Sequence, residues 1–135
     1  MPDFTEVNWL AVLLAAVAGV VIGFVWYMPA VFGKRWVAAS GIEMPTGAVS
    51  PAVYVGPIVQ GLLAAYVLAL FAGAADIVGG IVIAAVIWIG FVATTSFNAV
   101  IFERRRVEYW AINAGYVLVS LLVMGAIIGF FPATM

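Results

Sequence analysis

The chain has 135 residues, of which 67% are hydrophobic and 8% are charged. Soluble domains are about 45–50% apolar and about 25% charged, and a small soluble domain leaves much of its chain exposed, so this composition predicts a protein of the lipid bilayer. The absence of His and Cys excludes disulfides, thiol catalysis and the usual zinc, haem and iron–sulfur ligand sets. We therefore expect no metal and no cofactor. A net charge of −1 argues against binding to nucleic acid.

Four segments of the chain are long and apolar enough to be spanning helices, which need about 20 mainly apolar residues. They lack Asp, Glu, Lys and Arg, and lie at about Asn8–Phe32, Ala52–Gly73, Val78–Phe102 and Tyr109–Phe131. Only short tails and loops remain. The sequence therefore predicts one domain over residues 1–135, an all-α integral membrane protein built as an antiparallel bundle of four transmembrane helices. The first segment is too long, and its leader too acidic, for a signal peptide.

The connections between the spans predict how the helices pack. Residues 73–78 and 103–108 are tight connections, so the second and third spans, and the third and fourth, should be antiparallel neighbours. Pro29 lacks a backbone donor and should kink or end the first helix. Residues 31–39 could then form a short interfacial helix, and the following stretch, rich in Gly and Pro, should not be a continuous helix.

The positions of the basic residues predict the orientation of the chain in the membrane. All of them follow the first or the third span: Lys34, Arg35, Arg104, Arg105 and Arg106. The positive-inside rule then places the first and third loops in the cytoplasm and both termini outside. The simplest role of these side chains is to anchor the topology and to contact anionic lipid headgroups. Docking of a partner protein or recognition of an anion is the alternative.

Several polar side chains within the spans lie at similar depth, roughly 9–14 Å inside the cytoplasmic boundary at about 1.5 Å per residue. They are Tyr27, Gln60, Asn98 and Asn113, with Tyr116 one turn beyond Asn113 on the same face. One interpretation is an interhelical layer of hydrogen bonds, each contributing about 0.6 kcal/mol and seldom more than about 2 kcal/mol. The other is a polar pocket that opens toward the cytoplasm and holds a small ligand or a lipid headgroup.

Small residues recur at four-residue spacing on three of the spans, which lets helix backbones approach closely. They are Ala15, Gly19 and Gly23 on the first, Gly61, Ala65, Ala69 and Gly73 on the second, and Gly125 and Gly129 on the fourth. Most of these faces should be used inside the bundle. A face left over could mediate homodimerisation.

A longer motif resembles a known family. The residues that carry it are Trp26-Tyr27-Met28-Pro29-Ala30-Val31-Phe32-Gly33-Lys34-Arg35-Trp36, with Asn8-Trp9, Gly90-Phe91, Phe102-Glu103 and Asn113-Ala114-Gly115-Tyr116. Together they resemble the bacterial family called domain of unknown function seventeen sixty-one. The resemblance implies a small four-helix membrane protein of the bacterial cytoplasmic membrane, and it implies no activity.

Two classes of function are compatible with these residues. The spans contain no titratable group of the kind that proton-coupled transport generally needs, and no base that could activate a serine, so we expect that the protein is not an enzyme. The first class is a non-catalytic protein that acts by association with itself, with lipids or with a larger membrane complex. The alternative is a small dimeric transporter of a neutral or lipophilic compound. The small multidrug exporters are similar in size, but they depend on a membrane-embedded glutamate.

Overall fold

Four long apolar helices form the structure, a computed structural model that describes residues 7–41, 51–73 and 75–131. They are α1 (Trp9–Trp26), α3 (Ala52–Ala72), α4 (Ile77–Ile101) and α5 (Val107–Phe130), and a short helix α2 (Lys34–Ser40) follows α1. Each long helix has the length and hydropathy to cross a membrane. The predicted all-α class with four spans is confirmed, whereas the side on which the termini lie stays a prediction. The irregular first loop was predicted for residues that lie mostly outside the described ranges.

The helix α1 begins and ends where its sequence provides the signals. The Asn8 side chain accepts hydrogen bonds from the backbone N–H groups of Leu10, over 3.1 Å, and Ala11, over 3.2 Å, which satisfies two donors of the first turn. The helix ends at Trp26, short of the predicted Phe32, because a residue before proline is driven to extended backbone and Met28 adopts it. A π-helical turn, Pro29–Gly33, then leads into α2, which confirms the short helix after Pro29.

The helix α4 is capped by Asp76, whose carboxylate accepts from the Gly79 N–H over 2.8 Å. A π-helical turn, Trp88–Ala93, interrupts its middle. Such a turn disturbs the regular backbone hydrogen bonds, and hydroxyl groups bond back onto it: Thr94 Oγ1 donates to the Gly90 carbonyl over 2.7 Å. The next two hydroxyl residues repeat this pattern one and two positions later.

The last helix, α5, occupies the centre of the packing. It packs against α1, α3 and, most extensively, α4, while α1 and α3 pack against each other. The predicted neighbours α4 and α5 are confirmed. The contact between α3 and α4 is much slighter, because both pack mainly on other helices.

Small residues bring these backbones together. A Cβ built on Gly80 would lie 2.1 Å from the Gly125 carbonyl oxygen, and one on Gly129 would lie 2.2 Å from the Asp76 carbonyl oxygen. The helices α4 and α5 can approach this closely only because both positions are glycine. Most of the predicted small-residue positions are buried inside the bundle: Ala15, Gly19, Ala65, Ala69, Gly125 and Gly129.

Candidate functional site

Three of the five predicted polar residues meet between the end of α1 and α5. The Tyr27 hydroxyl donates to Asn113 Oδ1 over 2.6 Å, and the rings of Tyr27 and Tyr116 meet edge to face with centroids 5.6 Å apart. The Tyr116 hydroxyl donates in turn to the Gly19 carbonyl over 3.1 Å. Because Pro29 ends α1, Tyr27 stands at the helix terminus and its side chain can reach across to α5. The arrangement fixes α1 to α5 by hydrogen bonds that involve two tyrosines and an amide.

The other two predicted residues do not join this group. Gln60 on α3 and Asn98 on α4 both have exposed side chains on the outside of the described bundle. The structure therefore gathers only part of the predicted layer.

Indole groups also form hydrogen bonds between α5 and its neighbours, and sequence reasoning did not predict these bonds. Trp26 Nε1 donates to the Ile112 carbonyl and Trp88 Nε1 to the Ala114 carbonyl, each over 2.9 Å. A third indole, on α5 itself, donates from Trp110 Nε1 to Ser96 Oγ over 2.9 Å. The one available signal was that a buried indole N–H needs an acceptor, and nothing in the sequence specified which carbonyl provides it.

The basic residues divide into one that makes internal contacts and four that are exposed. Arg105 Nη1 donates to the Ser40 carbonyl over 3.0 Å, and its guanidinium lies 5.2 Å from the centre of the Tyr109 ring. Arg105 thus joins the end of α2 to the loop before α5. The others have exposed side chains: Lys34, Arg35, Arg104 and Arg106. Of the predicted lipid-contacting residues, these four are available for headgroups.

Aromatic rings fill the space beside Arg105. Trp36 stacks on Tyr109 with centroids 6.3 Å apart and meets the edge of Tyr27 at 6.0 Å. These contacts connect the Tyr27–Asn113 bond to the basic end of the molecule, which is the end that carries Lys34, Arg35 and the three arginines at 104–106. Tyr27, Asn113 and Tyr116, but not Gln60 and Asn98, thus belong to one continuous region with Arg105.

Two clefts lie on α5 near this end. The first, about 230 Å³ in volume, lies between α4 and α5 and is lined by Val92, Ser96, Ala99, Tyr109, Trp110, Asn113, Ala114 and Val117. The second, about 200 Å³, lies between the turn after α1 and the start of α5 and is lined by Trp26, Phe32, Arg35, Glu108, Ala111 and Ile112. Both are smaller than the roughly 300–1,000 Å³ of typical small-molecule pockets.

The chemistry available in this region is hydrogen bonding and charge recognition. Within residues 7–41, 51–73 and 75–131, no group of three or more His, Cys, Asp or Glu residues is placed to hold a metal ion. The polar atoms inside the bundle belong to phenol, amide, hydroxyl and indole groups. Charged groups of both signs lie at the basic end, with exposed Glu103 and Glu108 near the arginines in the chain.

The fold and this region define a class: a small all-helical protein with four apolar helices, each long enough to span a membrane. The chain belongs to the family described as Protein of unknown function (DUF1761), which it matches over residues 10–129. The family resemblance carried by the motif around Pro29 is thereby confirmed. No curated protein and no solved structure shows a significant match to the chain.

Proposed function

We propose that the protein is a non-catalytic, multi-pass protein of the bacterial cytoplasmic membrane that acts by association with lipids, with itself or with a larger membrane complex. The observation that carries this proposal is that polar side chains form hydrogen bonds inside the bundle, whereas four of the five basic side chains are exposed at one end of it. Tyr27, Asn113 and Tyr116 form hydrogen bonds within the bundle. The exposed cations lie instead beside the two loops that the positive-inside rule assigns to the cytoplasm.

Anionic phospholipid is the partner best matched to those cations. A Lys or Arg near a membrane surface attracts anionic lipid by about 1 kcal/mol. Lys34 and Arg104 come from different loops, and the Arg105 bond to Ser40 connects those loops. Several weak contacts are thereby presented together at one end of the bundle, which favours association with a patch of lipid headgroups.

The test is to measure binding of phosphatidylglycerol to the purified protein by native mass spectrometry. The variant Lys34→Gln/Arg104→Gln/Arg106→Gln removes three exposed cations, and at about 1 kcal/mol each its affinity should fall on the order of 100-fold. Asp76→Asn, which changes a charge at the opposite end of α4, is the control and should bind like the original protein. Unchanged binding by the triple variant, at low and high salt alike, would contradict the proposal.

The cleft between α4 and α5 favours a second candidate, a small dimeric transporter of a neutral or lipophilic compound. Asn113 presents an amide there, and its nitrogen has no hydrogen-bond partner among the described residues. Protein in liposomes can be compared with empty liposomes for uptake of neutral and cationic lipophilic dyes under an imposed pH gradient. We expect no protein-dependent flux. A flux that disappears in Asn113→Leu, while the variant stays folded, would favour transport through this cleft.

A further inference from the structure

The second cleft has one charge of each sign in its lining. Arg35 lies on α2 and Glu108 in the first turn of α5, and both side chains are exposed and line the same space. Within the described part of the chain, neither side chain lies within 4.0 Å of an oppositely charged group. The lining therefore presents a cation and an anion that are not paired with each other.

The other side chains that line this cleft are apolar or aromatic: Trp26, Phe32, Ala111 and Ile112. Ala111 and Ile112 follow Glu108 by three and four positions, which places them about 4.5–6 Å further along the helix axis. Phe32 packs against Trp26 with ring centroids 4.7 Å apart. The Trp26 N–H already donates to the Ile112 carbonyl, so its polar edge is occupied. Two opposite charges, with apolar surface further along α5, match the headgroup and the upper acyl chains of a phospholipid that stands upright at the membrane interface.

We propose that this cleft binds phosphatidylethanolamine, with the lipid phosphate at Arg35 and the lipid ammonium at Glu108. This inference rests on the proposed association with lipids and assigns one lipid to one place. A guanidinium forms paired hydrogen bonds to phosphate oxygens, and a primary ammonium donates hydrogen bonds to a carboxylate. Phosphatidylcholine has no N–H to donate, and phosphatidylglycerol has no cation to balance Glu108. Phosphatidylserine would bring a second carboxylate beside Glu108.

The experiment compares these lipids, with identical acyl chains, by native mass spectrometry and by the thermal stability of the purified protein. Because a hydrogen bond to a charged group contributes enough to alter affinity about tenfold, phosphatidylethanolamine should bind about tenfold more tightly than phosphatidylcholine. Glu108→Gln should abolish that preference, and Arg35→Gln should weaken the binding of both lipids. Glu103→Gln and Arg106→Gln, at exposed positions outside the cleft, are the matched controls and should keep the preference.

Two outcomes would overturn this inference. The first is equal binding of phosphatidylethanolamine and phosphatidylcholine to the original protein. The second is an equal loss of thermal stability for Arg35→Gln and Glu108→Gln in lipid-free detergent, together with no effect of added lipid on either variant. An internal ion pair between the two residues would then explain both losses. A preserved preference for phosphatidylethanolamine, together with unchanged phosphatidylglycerol binding in the triple variant, would support this site while contradicting the association with anionic lipid.

Discussion

The phenol of Tyr27 donates a 2.6 Å hydrogen bond to the amide oxygen of Asn113, across 86 positions of sequence. Tyr27 reaches its partner because α1 ends immediately before it, and Asn113 lies in the second turn of α5. The bond therefore connects the end of α1, which Pro29 causes, to the central helix of the bundle.

Removal of this bond should destabilise the bundle modestly. Tyr27→Phe keeps the ring contacts and deletes the donor, so the free energy of unfolding in detergent should fall by about 0.6–2 kcal/mol. Asn113→Leu should cost a similar amount, and the double variant should cost less than the two losses combined, because both remove the same bond. Asn98→Leu is the control, since Asn98 is exposed. A loss in Asn98→Leu as large as that in Asn113→Leu would show that the bond is not the cause.

The glycines at the crossing of α4 and α5 should tolerate no side chain. Gly80→Ala puts a Cβ 2.1 Å from the Gly125 carbonyl oxygen, so the helices must move apart, at a cost of about 1–3 kcal/mol for overpacking. Gly90→Ala and Gly56→Ala are matched controls, because a Cβ there meets no atom within 4 Å. Thermal unfolding followed by circular dichroism distinguishes the positions. Equal melting temperatures for Gly80→Ala and Gly90→Ala would rule out the close crossing.

Arg105 and Arg106 should differ in their effect on stability although they are adjacent and carry the same charge. Arg105→Gln removes the bond to the Ser40 carbonyl and the contact with the Tyr109 ring, so we expect a loss of about 1 kcal/mol or more. Arg106→Gln removes an exposed charge and should alter the free energy of unfolding by no more than about 0.5 kcal/mol. Both variants leave four basic residues, so any difference between them reflects these contacts and not the net charge.

The orientation in the membrane can be tested with single cysteines, because the chain has none of its own. Ala38, Asp76 and Glu103 have exposed side chains, and replacing each of them with Cys keeps all five cations. In intact cells, a membrane-impermeant thiol reagent should label position 76 alone, because the positive-inside rule places the other two in the cytoplasm. Labelling at 38 and 103 without labelling at 76 would reverse the orientation.

The sequence predicts the spans well because length and the absence of charge are sufficient to identify them. It also predicts the break at Pro29, since that restriction is local, although the predicted span continued to Phe32 and the helix ends at Trp26. The rotation of each helix about its axis was not predictable. Gln60 and Asn98 are exposed and stay outside the group around Asn113, because helices that are apolar on every face carry no pattern that assigns one face to the interior. The indole bonds to α5 were missed for the same reason.

The central position of α5 has a consequence for the order of events during synthesis. The ribosome makes α5 after α1, α3 and α4, so α4 is synthesised before the partner that supplies its most extensive contacts exists. Only α1 and α3 can form a substantial pair earlier, and they do so without Asn113 or the carbonyls that accept from Trp26 and Trp88. Assembly of the bundle is therefore completed only after translation of α5. A nascent chain stopped before α5 lacks the acceptors for the indole N–H groups of Trp26 and Trp88 and for the phenol of Tyr27.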